Sequence, residues 1–386
     1  MTLNLKHSRL LKLLALLALP LLVGGAFYKW NVARQQAYVP LLSVIVPPAY
    51  PPGGQGIDAI AFSPNSRTLA GSDRWNRLRL FDARTGKVSR SFKRLHEPEY
   101  LAWSWNGKLV AGAGHYGMWV VNTVKGAVTR RIAAKHDAGL LPYYQGQHIK
   151  CYLSSGATLG AMAQWQDSIS VWDLVKGKPV FRLRTGPRPD GLKTEVQGLA
   201  FSQDGKIMAV ARLLLKTQGE TTPRWNDPML WRNAGLEITV HDTRNGQILR
   251  VIPWNEAEVW RNRGDLGLCF SPRGRMLAAS DNRVVKLWNA DTGQLVRTLK
   301  ISSGSPGLMV TVQKLAFSAD ATLLSRIAPQ GETDVWNVTN GQHLHTFYSG
   351  DATHDVKFSP DGKLLASSGG SKQGFIKLWD IRFLRH

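Results

Sequence analysis

The stretch Asp355–Asp380, DVKFSPDGKLLASSGGSKQGFIKLWD, decides how the rest of the chain is read. Lys357 to Ser359 alternate in the manner of a strand, and Pro360-Asp361-Gly362-Lys363 supplies turn residues. Leu364-Leu365-Ala366 resumes a strand, and Ile376 to Trp379 make a third. Three antiparallel strands of this size cannot bury both faces alone, so the unit needs neighbours of its own kind.

The neighbours are present. The first turn recurs as AFSPNSR at Ala61, AWSWNGK at Ala102, YLSSGAT at Tyr152, AFSQDGK at Ala200, CFSPRGR at Cys269, AFSADAT at Ala316 and KFSPDGK at Lys357. Between the marker serines, Ser63, Ser104, Ser154, Ser202, Ser271, Ser318 and Ser359, the steps are 41, 50, 48, 69, 47 and 41 residues. A period of about 40–45 is that of four-stranded blades, and longer steps are loop insertions. The third strand recurs as well, at Leu78, Val120, Ile169, Ile238, Val285, Thr333 and Ile376.

These two landmarks resemble the WD-repeat β-propeller family over roughly residues 41–386. The W-D or W-N pair stands at Trp172, Trp288, Trp336 and Trp379, while Phe81, Val121 and His241 take the Trp position elsewhere. The family's Gly-His dipeptide is mostly missing, with His354 the one plausible relic. The resemblance implies an all-β, seven-bladed propeller of four-stranded antiparallel blades that acts as a non-catalytic binding platform. It also implies that the family's Asp-His-Ser-Trp network is broken in most blades, leaving apolar packing to hold them together.

A glycine follows the third strand in six copies (Gly86, Gly126, Gly177, Gly246, Gly293, Gly341), where a tight turn into a fourth strand requires positive φ. The seventh copy has no glycine there, and no fourth strand follows it. Leu41–Val46, LLSVIV, is a spare apolar strand, and we expect it to pair beside Ile376–Asp380 and close the ring.

The segment before the repeats divides into residues 1–30, an apolar helix read as a signal anchor or signal peptide, and a connector over 31–40. The run Leu13–Phe27 is short for a span, which needs roughly 20 residues. Two readings stay open: cleavage after Gly25 or Ala26, giving a secreted protein, or an anchor over Leu10–Trp30. Lys6, Arg9 and Lys12 precede the run, which favours an N-terminus inside and a propeller on the extracytoplasmic side.

Lys and Arg number 49 against 27 Asp and Glu, a formal +22, and the first acidic residue is Asp58. Such a charge suits an anionic membrane surface, nucleic acid or an acidic protein. An export signal argues against nucleic acid. By strand direction the turns of one face carry twelve basic residues, among them Lys176, Lys178, Arg273 and Arg275, against four acidic ones. That face is the candidate membrane-facing surface.

No P-loop, G-x-S-x-G, H-E-x-x-H or paired-cysteine spacing occurs, so no catalytic residue, metal or cofactor is expected. His96, His115, His136 and His148 fall in loops and read as solvated. Cys151 and Cys269 lie on opposite strand faces in non-adjacent copies, which argues against a disulfide. The innermost strands offer mainly Ala, Leu, Phe, Gly and Ser. An enzyme with an unrecognised channel site and a basic nucleic-acid-binding propeller are the alternatives to a protein-binding scaffold.

The fourth copy departs from the others. Leu213–Glu237 reads as a long loop between its second and third strands, and Val251–Asp265 follows its fourth, opening on the same face. Together they carry Arg224, Trp225, Met229, Trp231, Arg232, Trp254, Trp260, Arg261 and Arg263. Trp and Arg are the residue types of interaction hot spots, so these nine are the candidate partner-binding set, the alternative being a self-packed plug. Trp75, Tyr116, Tyr143, Tyr144 and Trp165 would extend an aromatic rim.

Overall fold

The computed structural model describes residues 40–45, 56–73, 77–134, 149–164, 168–184, 190–217, 231–254, 266–280, 284–301, 314–328, 331–371 and 373–385. The apolar run Leu13–Phe27 lies outside them. Among the described residues no helix is long and apolar enough to cross a membrane.

Seven four-stranded antiparallel sheets follow one another along the chain as blades. The first consists of Ile57–Phe62, Thr68–Asp73, Arg77–Asp82 and Val88–Phe92. The seventh consists of Thr353–Phe358, Leu364–Gly369 and Phe375–Asp380 with Leu42–Ile45 as its outer strand. The outer strand pairs Leu42 with Leu378 and Ile45 with Phe375. A sheet made from both ends of the described chain closes the ring and leaves no unpaired inter-blade seam.

The marker serine recurs because it builds the turn. In every blade its Oγ accepts the N–H five residues on, from Thr68 to Ser63 at 2.9 Å through Leu364 to Ser359 at 2.9 Å. The Asp or Asn that ends each third strand does the same for the next turn. Asp82, Asn122, Asp173, Asp242, Asn289, Asn337 and Asp380 each accept a backbone N–H two or three residues on. Both are side chains that imitate a backbone turn, so the motif is fixed by local chemistry. The six turn glycines have φ between 70° and 80°, where a Cβ would be strained.

Between blades lie apolar walls. Trp119, Trp336 and Trp379 are fully buried, and one wall joins Ala59, Leu78 and Leu80 of the first blade to Trp103, Val110 and Trp119 of the second. Apolar packing is not the whole of the cohesion, contrary to the sequence-based expectation. One fourth-strand position in each blade reaches the turn of the next. Arg90 Nη1 donates to Thr123 O at 2.6 Å and Val124 O at 3.0 Å. Arg250 donates to Asp291 O at 2.5 Å, and Arg297 to Thr339 O at 2.8 Å and Asn340 O at 3.1 Å. At the seam between blades seven and one the position is apolar: Leu42 and Val44 fill the space over Gly86. At the seam between six and seven His345 meets Phe383 edge-on at 5.7 Å, in the 3-10 turn Arg382–Arg385 where Leu384, buried, takes the place of the glycine.

The Asp-His-Ser-Trp network is reduced to a remnant in blade seven. Trp379 Nε1 donates to Ser367 Oγ at 3.2 Å, and Ser367 meets Ser349 at 3.0 Å. Ser349 thus stands in the histidine position, and His354 is no relic: its Nδ1 lies 3.0 Å from Asp58 of blade one. In blade four His241, at the Trp position, links Thr239 at 2.8 Å to the Gly246 carbonyl at 2.9 Å, and Arg212 donates to Thr239. Blade six buries Arg326 and Asp334 3.8 Å apart.

Candidate functional site

Blade four is built differently at its long-loop end. Its second and third strands, Ile207–Thr217 and Trp231–Asp242, pair from Ile207↔Asp242 out to Thr217↔Trp231. The residues Leu213–Thr217 and Trp231–Glu237, read from sequence as loop, are therefore ladder. Alternating apolar residues explain this: Leu213, Leu215 and Leu236 are buried on one face. With 11 residues against six for the second strand of blade one, the hairpin stands roughly 17 Å further out. Lys193–Phe201 follows it, pairing Lys193 with Leu215.

Of the nine candidate partner residues, the ladder places Trp231 and Arg232 at the far end of this hairpin, opposite Thr217 and Lys216. Trp254 is corrected. It ends the fourth strand, Ile248–Trp254, is 4% exposed, and packs 5.4 Å from Trp288 of blade five with Lys286 Nζ 4.7 Å over its ring. It belongs to the wall between blades four and five and has no surface to offer. Arg224, Trp225, Met229, Trp260, Arg261 and Arg263 lie outside the described residues, as do Trp75, Tyr143, Tyr144 and Trp165. Tyr116 of the rim is exposed, its ring 5.4 Å from His96.

The innermost strands are more polar than expected. Residues four and two before the marker serine include Tyr100, Lys150, Lys314 and Asp355, then Tyr152 and Lys357. Lys314 of blade six reaches blade two, where Nζ donates to Glu99 O at 2.8 Å and sits 3.2 Å over the Tyr100 ring. Asp355 accepts from Ile60 N of blade one at 3.0 Å and from Lys357 Nζ at 2.6 Å. The signal was available in the fixed offset from each serine; the small residues of the other copies hid it.

Near this mouth His115 Nε2 lies 2.8 Å from Glu99 Oε1. That bond and the Glu99 charge outweigh burial and raise the imidazole to about 9, so it is protonated at neutral pH. Burial pushes the Glu99 carboxyl up, but His115, Lys314 and Lys150 together bring it below its ordinary value. His115 is thus not a solvated loop histidine. Among the described residues no group of side chains is arranged to hold a metal.

A pH dependence follows. His115 binds its proton more tightly folded than unfolded, so its contribution is complete below pH ~6.5 and is lost as pH rises through about 9. Because both partners are about a third exposed, screening reduces it to on the order of 1 kcal/mol. We expect Tm to fall by roughly 1–2 °C between pH 6.5 and 9.5. Calorimetry of His115→Gln should show this step removed.

The opposite face consists of short turns, all of them described. Lys176, Lys178, Arg273 and Arg275 are exposed there. Its charge is smaller than the sequence-based assignment, since Asp82, Asp173, Asp242 and Asp380 end on it too, with Arg382 and Arg385, giving fourteen basic against eight acidic residues. A groove of about 510 Å³ opens there between blades one and two, walled by Pro64, Asn65, Arg90, Trp105 and Asn106.

Comparison with known proteins agrees with this architecture. The family model "WD domain, G-beta repeat" matches residues 262–289 and 341–380. Apoptotic protease-activating factor 1 of Rattus norvegicus is 28% identical over 221 residues, 50% of this chain and 16% of that protein. Small ribosomal subunit protein RACK1 of Caenorhabditis elegans is 32% identical over 115 residues, 29% of this chain and 33% of that protein. The matched part thus spans a third or less of these relatives. The crystal structure of the Cps50 (Swd1) β-propeller domain of Myceliophteria thermophila superimposes with a TM-score of 0.63 over 88% of this chain and 100% of that one, at 14% identity. The family match and the relatives support a WD-repeat propeller.

Proposed function

We propose that this propeller is a non-catalytic protein-binding scaffold, held at a membrane by its N-terminal apolar run and exported, with the long-loop end of blade four as its partner surface. The observation that carries the reading is the blade-four hairpin, paired out to Thr217↔Trp231 and so rigid well beyond its neighbours. Rigid elements present a surface at lower entropic cost than loops do. Trp225, Trp231 and Trp260, with the arginines beside them in sequence, are of the type that anchors interfaces.

The test is cross-linked co-purification from the native membrane. Replacing Trp225, Trp231 or Trp260 singly by Ala should each weaken partner binding roughly 30-fold, since an anchor contributes about 2 kcal/mol, and the triple variant should abolish recovery with Tm unchanged. Trp254→Ala should behave oppositely, lowering stability by about 3–5 kcal/mol. Unchanged recovery in the triple variant would remove the partner surface from this face.

A further inference from the structure

The short-turn face is lopsided. In blades one to three its turns carry seven basic residues and two acidic ones, Asp82 and Asp173. In blades four to seven they carry seven basic and six acidic. Exposed apolar side chains fall in the first half as well. Val124 and Val175, at the tips of the third turns of blades two and three, are 67% and 53% exposed, and Trp105, in the first turn of blade two, is 53% exposed.

None of the three is needed by its turn. Where Trp105 stands the other copies have Pro64, Ser155, Gln203, Pro272, Ala319 and Pro360, and all of them close the same serine-capped turn. Where Val124 and Val175 stand, Arg84, Arg244, Asp291 and Thr339 do equally well. A half-exposed Trp whose indole lies on Gly156 of blade three, and two exposed valines, set among Lys108, Lys125, Lys176 and Lys178, form an amphipathic patch rather than an apolar one. Lysine stems carry their charge to a headgroup layer while an indole sits at its polar boundary.

We propose that the short-turn face of blades two and three docks on an anionic lipid surface, with Trp105 entering the interface and the flanking lysines meeting the headgroups. Chain geometry agrees. The closing strand begins at the same face, where Leu42 lies against Gly86 of blade one, and Leu41 before it is exposed. Pro40 and Leu41, the first described residues, therefore lie at the edge of the basic half, and the groove beside Trp105 opens towards the same surface. Arg273 and Arg275 lie in the balanced half and take little part. The proposal rests on the reading that the chain is held at a membrane, and the test separates the two.

The full chain is labelled with an environment-sensitive fluorophore at Val124→Cys or, in the balanced half, at Thr292→Cys. Burial raises the thiols of Cys151 and Cys269, so the introduced cysteine reacts first. Each protein is reconstituted into phosphatidylcholine vesicles with or without phosphatidylglycerol, carrying a headgroup quencher. We expect quenching at residue 124 to exceed that at 292 by about threefold or more, only with anionic lipid and only at low salt. Lys125→Ala and Lys176→Ala should each shift the docking equilibrium roughly fivefold. Trp105→Ala should reduce docking while the ring stays folded at the assay temperature. A tether without docking leaves both probes in water, which would overturn the docking and spare the tether. Equal quenching at both positions, or quenching indifferent to phosphatidylglycerol, would also overturn it. So would protection of the 124 probe by an oligonucleotide and not by lipid, which would make the patch a nucleic-acid surface.

Discussion

Removing Leu42–Ile45 should open the ring, replacing one cooperative transition by a broad one and producing a species that aggregates on warming. The strand is four residues long, yet it does two things at once. It pairs with Phe375–Leu378, supplying the outer ladder of blade seven, and Leu42 and Val44 pack over the turn at Gly86 of blade one. Without it the edge of Phe375–Asp380 is an unpaired template, and blades seven and one lose the outer part of their seam, keeping only the inner contacts such as Asp355 on Ile60 N. Lost backbone pairing at about 1 kcal/mol per bond and two apolar side chains at about 1.5–3 kcal/mol each give a loss of roughly 5 kcal/mol or more. Val44→Asp in the full chain should show most of the effect, because it places a charge on Ile376 and Gly86 while keeping the length. A chain starting at Gly56 that melts as sharply as the intact one would show that blade seven holds without its outer strand.

The second large effect is expected in blade six. Asp334 is fully buried and serves three groups: Thr346 Oγ1 donates to it at 2.7 Å, His343 Nε2 lies at 3.1 Å, and Arg326, itself buried, lies 3.8 Å away. Asp334→Ala removes the charge that Arg326 faces inside the sheet and should cost about 3–5 kcal/mol. The double change Arg326→Met with Asp334→Val should recover more than half of that, since a buried ion pair contributes little beyond an apolar pair of similar volume. Chemical denaturation of the unchanged chain and the two variants measures this. A double variant no more stable than Asp334→Ala would mean that the pair shapes the blade in a way volume does not replace.

Most of the architecture was legible because it is repeated and local. Serine with the N–H five residues on, and Asp or Asn ahead of a positive-φ glycine, are turn devices that need no distant partner. Seven copies at a near-constant step therefore declare seven blades before any packing is known. The candidate site was legible only in part. The length of the blade-four insertion marked it as exceptional, but length cannot tell loop from ladder. The alternation of Leu213, Leu215 and Leu236 could have done so.

By itself, then, the chain determined the blade count and the turn chemistry, since both follow from patterns within about 40 residues. Tertiary structure alone decided what meets across a seam or across the channel. That includes Lys314 over Tyr100, Asp355 on Ile60 N, Arg90 on the next blade's turn, and Trp254 turned into a wall against Trp288. These partners are tens to hundreds of residues apart in sequence. Their contacts exist because ring closure fixes the angle between successive sheets, and no local pattern encodes that angle.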